Sequence, residues 1–234
     1  MNTKILQTLN IKYLKEEEIS ELIFRKLLDK QRFSIIFLDM NLMYHLLTDK
    51  EFFKSLPQDV IIIPSSKFVS FIISNLIDSN TIQPVREPST LFKSLRSISD
   101  YNYRILVIEK NEKIASRFKK HITSSIRDSD LNIIGIYNVF SNRMKNQKIE
   151  TIRKMEPDIT IVGSNIVRFV KLLNKDKKLL NKSSIIFSNR GVKIIAGFSS
   201  LFEVFRTVLK LLQSVVIILW FVKEKIVLLF RGRK

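Results

Sequence analysis

An α/β fold, with a mostly parallel sheet covered by helices on both faces, is predicted by three features of the sequence. Short apolar runs rich in β-branched residues recur along the chain, they show no polar alternation, and most lead into a stretch with helical periodicity. Continuous apolar runs suit strands buried on both faces. Strand then helix, repeated, produces parallel pairing through crossover connections. The result is Rossmann-like in outline.

The strand runs are 33–38 (FSIIFL), 60–63 (VIII), 104–108 (RILVI), 131–136 (LNIIGI), 158–162 (DITIV) and 184–187 (SIIF). Helices are expected at 14–30, 41–56, 66–78, 89–98, 111–127, 145–155 and 165–175. In "EPSTLFKSL" a hydroxyl of Ser89 or Thr90 after Pro88 is the expected N-cap. The run at 60–63 stops at Pro64 and is followed by Ser65 and Ser66. Ser65 is expected to cap the helix beginning near Ser66, a contribution of about 1 kcal/mol. A strand end opening into a helix is also where ligands collect in such folds, because backbone N–H groups converge there. No glycine-rich dinucleotide fingerprint follows any strand, and there is no Walker phosphate loop.

With 234 residues and 45% hydrophobic content, the chain can bury a substantial core. Forty Lys and Arg against 22 Asp and Glu give a net charge of +18, which points to an anionic partner. Nucleic acid is disfavoured, because Phe and Tyr fall inside apolar runs and are not interleaved with Lys and Arg as stacking platforms require. The chain has no cysteine, and His45 and His121 lack ligand spacing, so neither a zinc centre nor any other cofactor is expected. Residues 1–30 carry charges throughout, unlike a signal peptide.

Residues 201–234 stand apart from the body at 1–200 and are expected to form a basic amphipathic tail. The longest uncharged run, Leu211–Val222, is 12 residues, whereas a spanning helix needs about 20. On a helical wheel Glu203, Arg206, Thr207, Lys210, Gln213, Ser214, Glu224, Lys225 and Arg231 share one arc, and most of the remaining circumference is apolar. That pattern predicts a helix lying in the membrane plane, with Trp220 near the headgroups and Lys223 interrupting the apolar side. Lys210, Lys223, Lys225, Arg231, Arg233 and Lys234 would each add about 1 kcal/mol of attraction to an anionic surface. The alternative is a helix packed on the body or on another subunit.

The order of elements and several local motifs resemble the WecG/TagA/CpsF family of bacterial glycosyltransferases over about residues 5–200. The family's strand ending T-x-N, followed by a helix and D-x-E-F, is similar to "SIIFLDMNLMYHLLTDKEF", with Phe37 at the threonine and Asp39 at the asparagine. Its P-D-G strand end falls on Pro64, Ser65 and Ser66, placing Ser65 where the resemblance puts the catalytic base. R-V-T-G-x-D-L-F resembles "PVREPSTLF", with Arg86 one position from the arginine, Pro88 on the glycine and Thr90 on the aspartate. Glu109 and Lys110 replace the two glycines of L-G-G, and "DLNIIGIYNVFS" is similar to I-V-G-x-x-x-G-Y-F. In "PDITIVGSNIVRFV" Pro157, Asp158, Val162 and Gly163 agree with the family pattern. Asn165 stands at the second glycine, Arg168 at the lysine, and Phe169 and Val170 at the glutamine and glutamate. "NRGVKIIAG" is similar to G-G-x-F-D-x-x-A-G, with Lys193 at the aspartate.

The resemblance implies transfer of an N-acetylhexosamine from a UDP donor to an undecaprenyl-diphosphate-linked acceptor. It also implies a peripheral location on the cytoplasmic face of the bacterial inner membrane, in cell-envelope polysaccharide or lipopolysaccharide synthesis. Arg86, Thr90, Lys110, Asn165 and Arg168 become the expected substrate-binding set, with Asp39 and Ser65 at the catalytic positions. Framework positions agree and chemical ones mostly do not. The expectation is therefore a divergent or inactive transferase whose Glu109 repels the donor. A non-catalytic, membrane-docked scaffold or regulatory subunit, its cleft filled by side chains and itself self-associating or bound to a protein partner, is the alternative.

Overall fold

The computed structural model describes residues 9–77, 83–126, 131–137, 145–180, 182–197, 215–220 and 222–223. Strands β1 (Asn10–Ile11), β2 (Ser34–Leu38), β3 (Val60–Pro64), β4 (Arg104–Ile108), β5 (Asn132–Tyr137), β6 (Ile159–Val162) and β7 (Ser184–Phe187) form one sheet in the order β1-β3-β2-β7-β6-β4-β5. Every pairing is parallel. Ile35 of β2 lies between Ile61 of β3 and Ile186 of β7, so the sheet centre is built from β-branched side chains in register.

Successive strand residues alternate between two cores. Ile36, Leu38, Ile62, Leu106, Ile108, Val162 and Phe187 face the first core. It is covered by α2 (Met40–Thr48), α3 (Lys50–Ser55), α4 (Lys67–Ile77), α7 (Lys145–Met155) and α8 (Ile166–Lys175). Ile35, Phe37, Ile61, Ile63, Ile105, Val107, Ile161 and Ile186 face the second core, under α1 (Glu16–Leu28), α5 (Glu87–Ser97), α6 (Glu112–Ser125) and α9 (Asn189–Ile195). Each fully buried Ile, Leu or Phe contributes about 1.5–3 kcal/mol. Two-sided burial explains why the strands carry no polar alternation.

Four local expectations are corrected. The stretch 41–56 is two helices, because Asp49 leaves helical geometry (φ −105, ψ 93) and its side chain accepts a hydrogen bond from the Phe52 N–H at 2.9 Å. Helix α5 begins at Glu87, with Arg86 as N-cap and Pro88 in the first turn, where its missing N–H costs nothing. Ser89 and Thr90 therefore lie inside the helix. Helix α4 begins at Lys67, so Ser66 and not Ser65 precedes it, and neither hydroxyl makes a hydrogen bond among the described residues. The helix α9, which no run predicts, follows β7.

Candidate functional site

Neighbouring strands whose chains leave towards opposite faces open a crevice at their carboxyl ends. Strand β4 leads into α6 on the second face, whereas its neighbour β6 leads into α8 on the first. A cavity of about 720 Å³ opens there. Glu109, Lys110 and Asn111 line it from the end of β4, and Ser164, Asn165 and Arg168 from the end of β6. The two strand ends are tied together, since the Gly163 N–H donates to Ile108 O at 2.8 Å and the Lys110 N–H to Ser164 Oγ at 2.7 Å. Asn165 holds a left-handed backbone (φ 50), which asparagine tolerates better than most residues, and its side chain makes no cap bond. A side chain at Gly163 would place Cβ 2.7 Å from Glu109 Oε2 and 3.0 Å from Val192 Cβ, so the close approach there requires glycine. His45 also lines this cavity, and burial lowers its pKa, opposed by Asp49 and aided by Lys171.

A second cavity, of about 560 Å³, lies at the end of β3. Ser65, Ser66 and Lys67 line it, with Arg86, Glu87 and Ser89 at the start of α5 and Arg190 and Ile194 of α9. Helix α9 serves both cavities through two i,i+4 pairs: Asn189 and Lys193 face the β4–β6 cavity, Arg190 and Ile194 the β3 cavity. The Lys193 Nζ donates to Asn189 Oδ1 at 2.8 Å.

Glu87 is the residue that sequence reasoning missed. It is 3% exposed, and its Oε1 accepts hydrogen bonds from Ser188 Oγ (2.8 Å), the Arg190 N–H (3.0 Å) and the Gly191 N–H (3.0 Å). Burial pushes its pKa up to about 7, with Asp39 acting in the same direction, while the bonds from Gly191, Ser188 and Arg190 pull it down. A Glu before a Pro reads as an ordinary first-turn residue, and its partners are 101 to 104 positions away. No local signal marks it.

The expected binding set divides. Arg86 and Ser65 share the β3 cavity, whereas Lys110, Asn165 and Arg168 are gathered at the β4–β6 cavity. Thr90 reaches neither: it is fully buried and its Oγ1 donates to Arg86 O at 3.0 Å, the back-bonding available to a threonine inside a helix. Asp39 caps α2, its Oδ1 accepting from the Leu42 N–H at 2.9 Å, and it lines neither cavity. Phe169 and Val170 are buried in the first core, where Phe169 meets Phe187 edge-on at 6.5 Å. The cleft is thus open and not filled.

Of the tail, Lys210, Lys225, Arg231, Arg233 and Lys234 lie outside the described residues. Residues 215–220 are helical. Ile217 is buried in the first core, and Trp220 packs partly against it with its indole N–H enclosed. Val215, Val216, Ile218, Leu219 and Val222 are exposed, and so is Lys223. Among the described residues no helix is long and apolar enough to cross a membrane.

Compared with known protein families, residues 3–200 match the glycosyl transferase WecG/TagA/CpsF family. The chain belongs to this family. No curated protein matches it. Within the WecG/TagA/CpsF pattern the geometry separates two kinds of replacement. Asn165, which the resemblance sets at a glycine, has a left-handed backbone, and the packing at Gly163 leaves no room for a Cβ. Glu109, which the resemblance also sets at a glycine, instead lines the cavity, 1% exposed, with an Oε2 that is buried without a partner among the described residues.

Proposed function

We propose that the chain transfers an N-acetylhexosamine from a UDP-sugar to an undecaprenyl-diphosphate-linked acceptor at the cytoplasmic face of the bacterial inner membrane, in cell-envelope polysaccharide or lipopolysaccharide synthesis. Family membership supports the substrate class. The observation that carries the reading is the pair of open, cation-lined cavities on either side of α9. The reaction joins two diphosphate-bearing substrates, and each diphosphate needs charge-assisted donors. Lys110, Arg168 and Lys193 supply them in the β4–β6 cavity, which we assign to the donor. Lys67, Arg86 and Arg190 supply them in the β3 cavity, which we assign to the acceptor. Incubation of the full chain with UDP-N-acetylhexosamines and a lipid-diphosphate sugar acceptor tests this. The expected result is a lengthened lipid-linked glycan, and neither transfer nor donor hydrolysis across the panel would defeat it.

The tail supports a peripheral membrane position. Its helix docks Ile217 on the body and leaves Val215, Val216, Ile218, Leu219 and Val222 facing away, with basic residues nearby in sequence. Flotation with anionic vesicles is expected to carry the chain, and Ile218→Asp with Leu219→Asp to release it. A second reading, a non-catalytic scaffold on the same membrane, is favoured by Ser65 at the base position and Glu109 in the donor wall. It predicts vesicle binding without turnover.

A further inference from the structure

We propose that Glu87 is the general base of the transfer, taking the proton from the acceptor hydroxyl in the β3 cavity. The inference rests on the transferase reading above and replaces both residues that the sequence offers for the role. Ser65 has a hydroxyl with no acid or base bound to it among the described residues, and Asp39 is engaged in capping α2 outside both cavities. Glu87 is the one acidic residue among those lining the β3 cavity.

Three donors converge on Oε1 and fix the carboxylate, while among the described residues no donor reaches Oε2. With one oxygen held by Ser188 and the first turn of α9, Oε2 is the oxygen left to take a proton. The surrounding charges come from several elements. Arg86 adjoins it on the chain, Arg190 projects from α9, and Lys67 stands at the start of α4. Asp39 at the end of β2 repels its negative form. Glu16 of α1 is already occupied, accepting from the Arg86 N–H, Ser89 Oγ and Lys93 Nζ. The resulting balance, a pKa of about 7, suits a base that must be ionised near neutrality and still attract a proton.

In the step, the acceptor oxygen forms a bond to the anomeric carbon of the donor, and its proton passes to Glu87 Oε2. The bond from that carbon to the diphosphate oxygen breaks, UDP departs with the electron pair, and Glu87 later releases the proton to water.

Full-length Glu87→Gln keeps a carbonyl acceptor for the three donors and loses the proton site. In the transfer assay its kcat is expected to fall by about 10²–10⁴-fold, with the UDP-sugar KM little changed and the rise of rate with pH through neutrality abolished. Glu87→Ala is expected to regain rate on addition of formate. A Gln variant within about threefold of the parent and still rising with pH, or an Ala variant indifferent to formate, overturns the proposal. UDP titration calorimetry separates the two levels. A parent chain that binds UDP but transfers nothing overturns the transferase reading together with the base, whereas an active parent with an unaffected Gln variant overturns the base alone.

Discussion

Glu87 and Glu109 are both almost fully buried, both sit at the carboxyl end of the sheet, and each lines one of the two cavities, yet the fold receives them differently. Glu87 has three donors on one oxygen. Among the described residues Glu109 accepts only the Asn111 N–H, at 3.2 Å, and its Oε2 has no partner. Burying a carboxylate is costly unless hydrogen bonds replace water. At the β3 cavity three hydrogen bonds offset part of that cost and burial still outweighs them, whereas at the β4–β6 cavity Glu109 has one bond among the described residues. The difference teaches that the first carboxylate is built into the scaffold, while the second is tolerated beside Lys110, Arg168 and Lys193.

The largest test of this contrast is removal. Glu87→Met strands the Ser188 hydroxyl and two N–H groups of α9, and is expected to destabilise the fold by about 3–5 kcal/mol in urea unfolding at neutral pH. Glu109→Met strands only one N–H and is expected to stay within about 1 kcal/mol of the parent.

Protonation sharpens the same contrast. The folded chain holds the Glu87 proton up to about pH 7, whereas the unfolded chain releases it near 4.5. Between these values the folded state binds more protons, so this group's contribution is complete below the lower value and is lost as pH rises through the upper one. Relative to Glu87→Gln, the parent should lose on the order of 3 kcal/mol of stability between pH 4.5 and 8. Chemical denaturation of both proteins across that range measures it.

Gly163→Ala probes the crowding around Glu109. A Cβ within 2.7 Å of Oε2 and 3.0 Å of Val192 is expected to cost about 1–3 kcal/mol. Combining it with Glu109→Ala should recover part of that loss, a coupling that a double-mutant cycle reads directly. The smallest effect expected is on ligand affinity. Lys110→Ala should weaken UDP binding about tenfold by calorimetry, and Arg190→Ala, on the other side of α9, about twofold or less.

Most of the fold was legible because burial on both faces writes strands as unbroken apolar runs, and 104–108 and 184–187 agree residue for residue with β4 and β7. Strand β1, two residues long beside β3, is too short to carry a pattern. Helix α9 was hidden by Asn189-Arg190-Gly191, which reads as a turn; here Gly191 is needed because a side chain would run into Ser188 Oγ. At the site, Lys110, Asn165 and Arg168 came from the family resemblance, and parallel topology brings the strand ends that carry them to one edge. Thr90, set by the same resemblance at the motif's aspartate, is buried with its hydroxyl turned back to Arg86 O, which a motif match does not reveal. Glu87 could not be found from sequence, since the three groups that give it a role arrive from a chain segment about a hundred residues distant.

The seven-residue α9 lines both chambers, Asn189 and Lys193 on one side and Arg190 and Ile194 on the other. Its two stripes lie about 100° apart around the axis, so a small roll that draws Lys193 back from one side changes the reach of Arg190 on the other. Filling one room is therefore expected to reshape the next, so that each partner alters the loading of the other through this short rod.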